Sequence, residues 1–349
     1  MIRTSRTTRL VTAVLAATLV VAACGSDDTD DNGDGTGSTT PSGLTGSINI
    51  SGSSTVEPIT ALVGEFFSEA NPDVNVRVDG PGTGDGFQLF CAGETDISDA
   101  SRAIKDEEAA ACADAGVEYV ELYIGIDGLS VITSPANDAV ECLSFGDLYA
   151  LLGPESEGFD TWSAANDLGA EVGGSGDYPD APLDITAPGP ESGTYDSFIE
   201  LALGDTAEAR VEAGSITEDE AGTVRPDYSS QANDNQIISG IAGSETSLGW
   251  VGYAFADENR DQVKLVEVDG GDGCVAPEPD AIADGSYPLS RPLYIYVNTA
   301  KAASNAALSA FVDFYLGDEG YASVADADYV QVPEADWTAT GEAWAAAQG

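Results

Sequence analysis

The feature that most restricts this fold is a pair of long β-prone runs set far apart in the chain. The first covers residues 119–133 (YVELYIGIDGLSVIT), interrupted at Gly128, and the second covers residues 291–298 (RPLYIYVN). The first run is longer than an ordinary strand. That length suits a segment passing from one lobe to another, and the second run suits the return. The chain between them is then a lobe inserted into a discontinuous one. This reading places lobe 1 at residues 47–131 and 293–349, and lobe 2 at residues 132–292. The two crossover strands form the hinge.

Around this frame a local pattern occurs three times. Ile48 and Ile50 alternate with Asn49 and lead into Gly52. Ile59, Leu62, Val63, Phe66 and Phe67 then recur at helical spacing. Ser53, Ser54 and Thr55 therefore sit at a strand-to-helix corner, beside the unpaired N–H groups and positive dipole end of a helix start. Next, Val74, Val76 and Val78 alternate as a strand before the glycine-rich residues 80–86 (GPGTGDG), and Phe87, Leu89 and Phe90 open a helix. The glycine spacing does not satisfy a dinucleotide fingerprint. Finally, an extended segment from Ile185 meets Pro and Gly. Ser192, Gly193 and Thr194 then begin a helix that carries Tyr195, Phe198, Ile199 and Ala202 on one face. Strands alternating with helices define an α/β class. Taken singly, each corner is an ordinary cap or turn. Three of them, with Asp99 and Arg102 in a loop before an acidic, alanine-rich helix, make a cleft suited to a tetrahedral oxyanion.

Charge and composition remove several alternatives. The chain has 61 acidic and 12 basic residues, a net charge of −49, and no histidine. Such a field excludes binding to nucleic acid or anionic lipid and is tolerable in high salt. The missing histidine excludes His-bearing zinc sites and every Ser-His or Cys-His catalytic pair. Residues 1–23 read as a lipoprotein signal peptide, with Arg3, Arg6 and Arg9 before an apolar segment and VAAC at residues 21–24. Cys24 is the expected lipidation site, and residues 24–46 are an acidic tether with almost no apolar content. Four further cysteines, Cys91, Cys112, Cys142 and Cys274, point to two disulfides in an exported protein, with three connectivities. The lobe division puts Cys91 and Cys112 in one lobe and Cys142 and Cys274 in the other, so bridges within each lobe are expected.

Five stretches carry a resemblance: residues 52–59 (GSSTVEPI), 82–87 (GTGDGF), 98–102 (SDASR), 192–198 (SGTYDSF) and 290–296 (SRPLYIY). In this order and spacing the chain resembles the phosphate-specific substrate-binding proteins of bacterial ABC transporters. That is the PstS type, with a two-lobe type II periplasmic-binding-protein fold. The resemblance implies that Ser54, Thr55 and the Val56 backbone hold phosphate from the first corner, and Thr83 and Gly84 from the second. Asp99 would accept the phosphate proton, while Ser192, Gly193 and Thr194 close from the other lobe. Many members carry an arginine four residues before that serine. Here the position is Pro188, so the guanidinium role is assigned to Arg102. The resemblance further implies a monomer that is not an enzyme and uses no cofactor or metal. It would hand inorganic phosphate to ABC permease subunits, tethered by lipid to the outer face of the cell membrane. The rival readings are a surface phosphate sensor or scavenger without transport, and a phosphoester hydrolase using Ser54 or Ser192. The second lacks an evident base.

Overall fold

A computed structural model describes residues 43–190 and 192–349. The proposed signal peptide, Cys24 and most of the tether lie outside the described residues. Among the described residues no helix is long and apolar enough to cross a membrane.

In chain order the strands are β1 (Gly46–Gly52), β2 (Val74–Asp79), β3 (Ile97–Ala100), β4 (Tyr119–Thr133), β5 (Cys142–Ser144), β6 (Asp184–Pro188), β7 (Ser229–Gln231), β8 (Ser247–Gly252), β9 (Lys264–Leu265), β10 (Glu267–Asp269), β11 (Cys274–Val275) and β12 (Ser290–Asn298). Nine belong to one sheet, in the order β2-β1-β3-β12-β4-β8-β6-β7, with β9 on β4. β1 pairs in parallel with β2 and β3, and parallel neighbours need crossover connections, which helices supply here. The intervening helices are α1 (Glu57–Ala70) between β1 and β2, and α2 (Thr83–Cys91) between β2 and β3. A third, α3 (Asp106–Ala115), follows β3.

β4 runs unbroken through Gly128, contrary to the interruption expected there. Its first part pairs antiparallel with β12, from Tyr119 with Asn298 to Gly128 with Ser290. From Leu129 onward its partner is β8. Gly128 marks this change of partner. A side chain there would lie 3.4 Å from both Ile282 and Tyr253, so glycine admits the packing without ending the strand.

The same strand feeds two hydrophobic clusters. Leu122 and Ile124 join Ile48, Ile59, Phe67, Phe311 and Tyr315 in one. Ile126, Leu129 and Val131 join Leu148, Trp162, Phe198 and Trp250 in the other. The Phe67 ring meets Phe311 and Phe314 edge-on, with centroids 5.3 and 5.6 Å away. That apolar stripe, spaced for one helix face, is what fastens α1 to the C-terminal helices.

The disulfides are Cys91–Cys112 and Cys142–Cys274, the expected pairing. The first joins the end of α2 to α3. Three local expectations are corrected. α2 begins at Thr83, so Gly84 and Gly86 lie in its first turn rather than in a loop. Asp99 is in strand β3, not in a loop. Residues 299–316 read in the sequence as one closing amphipathic helix, but they form two, Thr299–Ser304 and Ala306–Tyr315, because Asn305 ends one and caps the next through the Ala307 N–H.

Candidate functional site

The first corner is shaped by close approach. Gly52 ends β1 at φ 154°, and a Cβ there would fall 2.0 Å from the Asp99 carbonyl oxygen. Only glycine fits. The chain then turns, the Ser53 N–H donating to the Asp99 carbonyl at 2.9 Å and the Val56 N–H to the Ser53 carbonyl at 3.2 Å. The Thr55 N–H donates to Ser53 Oγ at 3.2 Å. Val56 is the residue before α1 and supplies no side-chain cap.

The second corner packs directly on the first. A Cβ on Gly86 would sit 2.4 Å from Gly52 Cα, so α2 presses its first turn against the end of β1. This explains why Gly86 falls inside a helix that a glycine weakens by about 1 kcal/mol. The Gly82 N–H donates to the Gly52 carbonyl at 2.8 Å. Thr83 Oγ1 accepts from the Ser101 N–H at 3.2 Å and lies 3.1 Å from Ser101 Oγ. The 52–56, 82–86 and 98–102 stretches therefore form one neighbourhood.

At the third corner Ser192 caps the helix Gly193–Phe198, accepting from the Thr194 N–H at 3.2 Å. Ser192, Gly193 and Thr194 line a cavity of about 400 Å³ with Asp127, Asn233 and Tyr329, and Pro58 of α1 forms part of its wall. One turn along this helix, Ser197 Oγ lies 3.4 Å from Thr55 Oγ1. The first and third corners thus meet hydroxyl to hydroxyl.

The guanidinium at that meeting point belongs to Arg291, a residue of β12 to which the sequence reading gave no role. Its side chain is only 9% exposed. Nη2 donates to Thr55 Oγ1 at 3.0 Å and to Ser197 Oγ at 3.2 Å. Nε donates to Asp127 Oδ2 at 3.1 Å, and Nη1 pairs with Glu200 Oε2 at 2.6 Å. Burial opposes the charge, but the Asp127 and Glu200 carboxylates more than offset it and hold the pKa above the usual arginine value.

Arg102 is differently occupied. Both Nη atoms pair with the Glu108 carboxylate of α3 at 2.8 Å, and the guanidinium lies 5.6 Å from the Phe87 ring centroid. Its pKa is raised, chiefly by the Glu108 hydrogen bond, with a smaller contribution from the charge of Glu200. A bidentate pair of this kind ties Arg102 to the first turn of the helix that follows it. It is near Gly84, whose Cβ would be 4.0 Å from Nη2. It does not reach the Thr55–Ser197 node. One signal for Arg291 was present in the sequence: an arginine inside an apolar β-prone run must find buried partners.

Asp99 lies beneath the first corner, wholly buried. Neither carboxylate oxygen has a hydrogen-bond partner of normal geometry among the described residues. Burial pushes its pKa up to about 8, with the Thr60 hydroxyl pulling it down and the Glu57 charge adding to the rise. Near neutral pH this carboxyl therefore carries a proton. The expected acceptor role requires that the proton leave first.

Residues 35–319 match the family model of the PBP superfamily domain. The chain belongs to this superfamily. Among curated relatives it is 38% identical over 296 residues to the protein SphX of Synechocystis, spanning 84% of this chain and 81% of the relative. It is 34% identical over 324 residues to the phosphate-binding protein PstS of Staphylococcus epidermidis, spanning 93% and 88%. The family branch is thus that of the PstS and SphX proteins. Among solved structures, that of a possible phosphate binding protein from Planctomyces limnophilus superposes with a TM-score of 0.77 at 34% identity. It covers 88% of this chain and all of the other. The PstS structure from Borrelia burgdorferi, with a TM-score of 0.56 at 21% identity, shares the fold.

Proposed function

We propose that this protein captures inorganic phosphate in the cleft between its corners and delivers it to an ABC permease. The observation that carries the reading is the Arg291 node: a buried guanidinium beside Thr55 and Ser197, where two helix starts from opposite parts of the sheet converge. The names of the PstS and SphX relatives, which match across most of the chain, support the same reading.

The donors suit a small tetrahedral anion. Ser54, Thr55 and the Val56 backbone would approach from the first corner, and Thr83 and Gly84 from the second. Ser192, Gly193 and Thr194 would approach from the third. Hydrogen bonds to a charged ligand contribute about 1.5–3 kcal/mol each, so a few short ones suffice for firm binding. They also answer the charge of −49, because a repulsive surface field decays within about 8 Å at physiological salt while hydrogen bonds act at contact. We assign the ligand guanidinium to Arg291 rather than Arg102, because Arg102 is committed to Glu108.

The lobe boundaries at 131/132 and 292/293, with β4 and β12 as hinge, belong to this proposal. So do lipidation at Cys24, a monomeric state and the absence of turnover. The test is native mass spectrometry of the purified protein followed by calorimetry with phosphate and sulfate. We expect one retained or titratable phosphate per chain, abolished by Arg291→Ala, and no hydrolysis of an aryl phosphate. Wild-type protein that binds no phosphate in a phosphate-stripped preparation refutes the reading.

A further inference from the structure

Every donor nitrogen of Arg291 is directed at a protein acceptor: Nε at Asp127, Nη1 at Glu200, and Nη2 at Thr55 and Ser197. A guanidinium presents five donors in a fixed fork. Four of the five are engaged by these contacts, so an oxyanion that takes more than the second N–H of Nη1 must take the place of an acceptor already there. The four acceptors differ sharply in how readily they yield.

Asp127 is the most firmly held. Its side chain is 3% exposed, and moving it from Arg291 would leave a buried charge without a partner. Thr55 and Ser197 need not leave, because a hydroxyl can rotate and donate to the incoming anion instead. Glu200 is different. Its side chain is 59% exposed, so it can exchange the guanidinium for water at small cost. It lies in the π turn Ile199–Leu203, immediately after the Ser192-capped helix. A second cation, Arg102, is within its electrostatic reach, and the Asp196 carboxylate repels it.

We propose that Glu200 is a specificity-determining residue: an internal carboxylate on Arg291 that a dianion displaces and a monoanion does not. The inference rests on the phosphate reading of the site. Its logic is a comparison of charges. A chloride or other monovalent anion exchanges one negative charge for another at Nη1 and gains nothing, while losing a carboxylate of good geometry. A phosphate dianion brings twice the charge and further oxygens for Thr55, Ser197 and the corner N–H groups. Glu200 thus sets a threshold that common monoanions fail to cross.

The experiment is calorimetric titration with inorganic phosphate of wild type, Glu200→Gln and Glu200→Asp, at one ionic strength. The salt is a bulky sulfonate in one series and chloride in the other. In sulfonate, both variants are expected to bind phosphate about tenfold more tightly than wild type, because the competing charge-assisted bond is gone or out of reach. In chloride, the variants should lose about tenfold while wild type changes by less than about twofold. Glu200→Asp keeps the charge but shortens the stem, so it separates contact from charge at a distance. Tightening in Glu200→Gln alone overturns the contact argument. Variants that bind phosphate as wild type does, or more weakly, overturn the proposal while leaving phosphate binding intact. A wild type that binds no phosphate in either salt overturns the phosphate reading and this inference together.

Discussion

Asp99 should make the protein's stability depend on pH in an unusual direction. Its pKa rises from 3.8 to about 8 on folding, first through burial. A group whose folded pKa is raised contributes stability that is whole below the unfolded pKa. That stability drains away as pH climbs through the folded pKa. The window here runs from about pH 4 to about pH 8. Within it each pH unit removes up to about 1.4 kcal/mol, so the full shift of roughly four units corresponds to a ceiling of about 6 kcal/mol. By pH 7 roughly 4 kcal/mol is already lost. Domains are stable by only about 5–15 kcal/mol in total, so the effect is not marginal. Asp99→Asn keeps the shape, and its amide does not ionise. The variant should therefore gain on wild type as pH rises, by roughly 3 kcal/mol between pH 5 and pH 7. Urea unfolding followed by tryptophan fluorescence in phosphate-free buffer at pH 5, 6, 7 and 8 measures the difference directly. Stability curves for the two proteins that run parallel across this range would refute the argument, and with it the protonated buried carboxyl.

Other outcomes follow from the same geometry. Below about pH 8 a protonated Asp99 can donate to sulfate as well as to phosphate. Above it only an anion that carries its own proton is accepted, so the preference for phosphate over sulfate should widen from pH 6 to pH 9 more in wild type than in Asp99→Asn, where phosphate's own second ionisation is the remaining cause of change. Competition calorimetry at fixed ionic strength would expose a preference that changes alike in the two proteins. Arg291→Lys loses the fork that serves Thr55, Ser197 and two carboxylates, and should weaken phosphate binding by at least about tenfold. Arg102→Lys, whose partner is Glu108, should change it by less than about threefold; equal losses in both would return the ligand role to Arg102. Phe67→Ala removes a buried ring between Phe311 and Phe314 and should cost about 3–5 kcal/mol in chemical denaturation without altering the ligand stoichiometry. Replacing both Cys91 and Cys112 by serine opens a 21-residue loop and should cost about 2–4 kcal/mol. A loss below 1 kcal/mol would show that α2 and α3 are held by packing alone.

The parts of this protein that were legible beforehand are those set by local pattern. Ile48, Ile50, Val74, Val76 and Val78 announce strands by alternation, and Ile59 through Phe67 announce α1 by its apolar face. The β-prone run at 119–133 ends at the residues where β4 ends. Where the reading slipped, a distant element decided the outcome. Gly86 looks like part of a loop until β1 is packed against it, and then its missing Cβ is what lets a helix approach. Asp99 looks like a loop residue because a carboxylate is a poor strand former. Its place in β3 is set by pairing with both Gly52 and Ile295, a relation visible only once β1 and β12 flank it.

The guanidinium follows the same rule and shows its cost most clearly. The sequence points to Arg102 because Pro188 stands where relatives carry an arginine and Arg102 lies near the candidate oxyanion groups, but nearness along the chain also places Glu108, in the first turn of α3, within reach of it. A local carboxylate captured it. Arg291 is separated from Thr55 by 236 residues and from Ser197 by 94, and no spacing rule connects them. What connects them is β12 lying between β3 and β4 in the sheet, which carries the start of the returning strand past both helix corners. A buried arginine needs acceptors on several sides, and in this fold those sides come from three separate stretches of chain, around Thr55, Asp127 and Ser197–Glu200. The residue best placed to hold an anion is therefore the one whose partners the sequence keeps furthest apart.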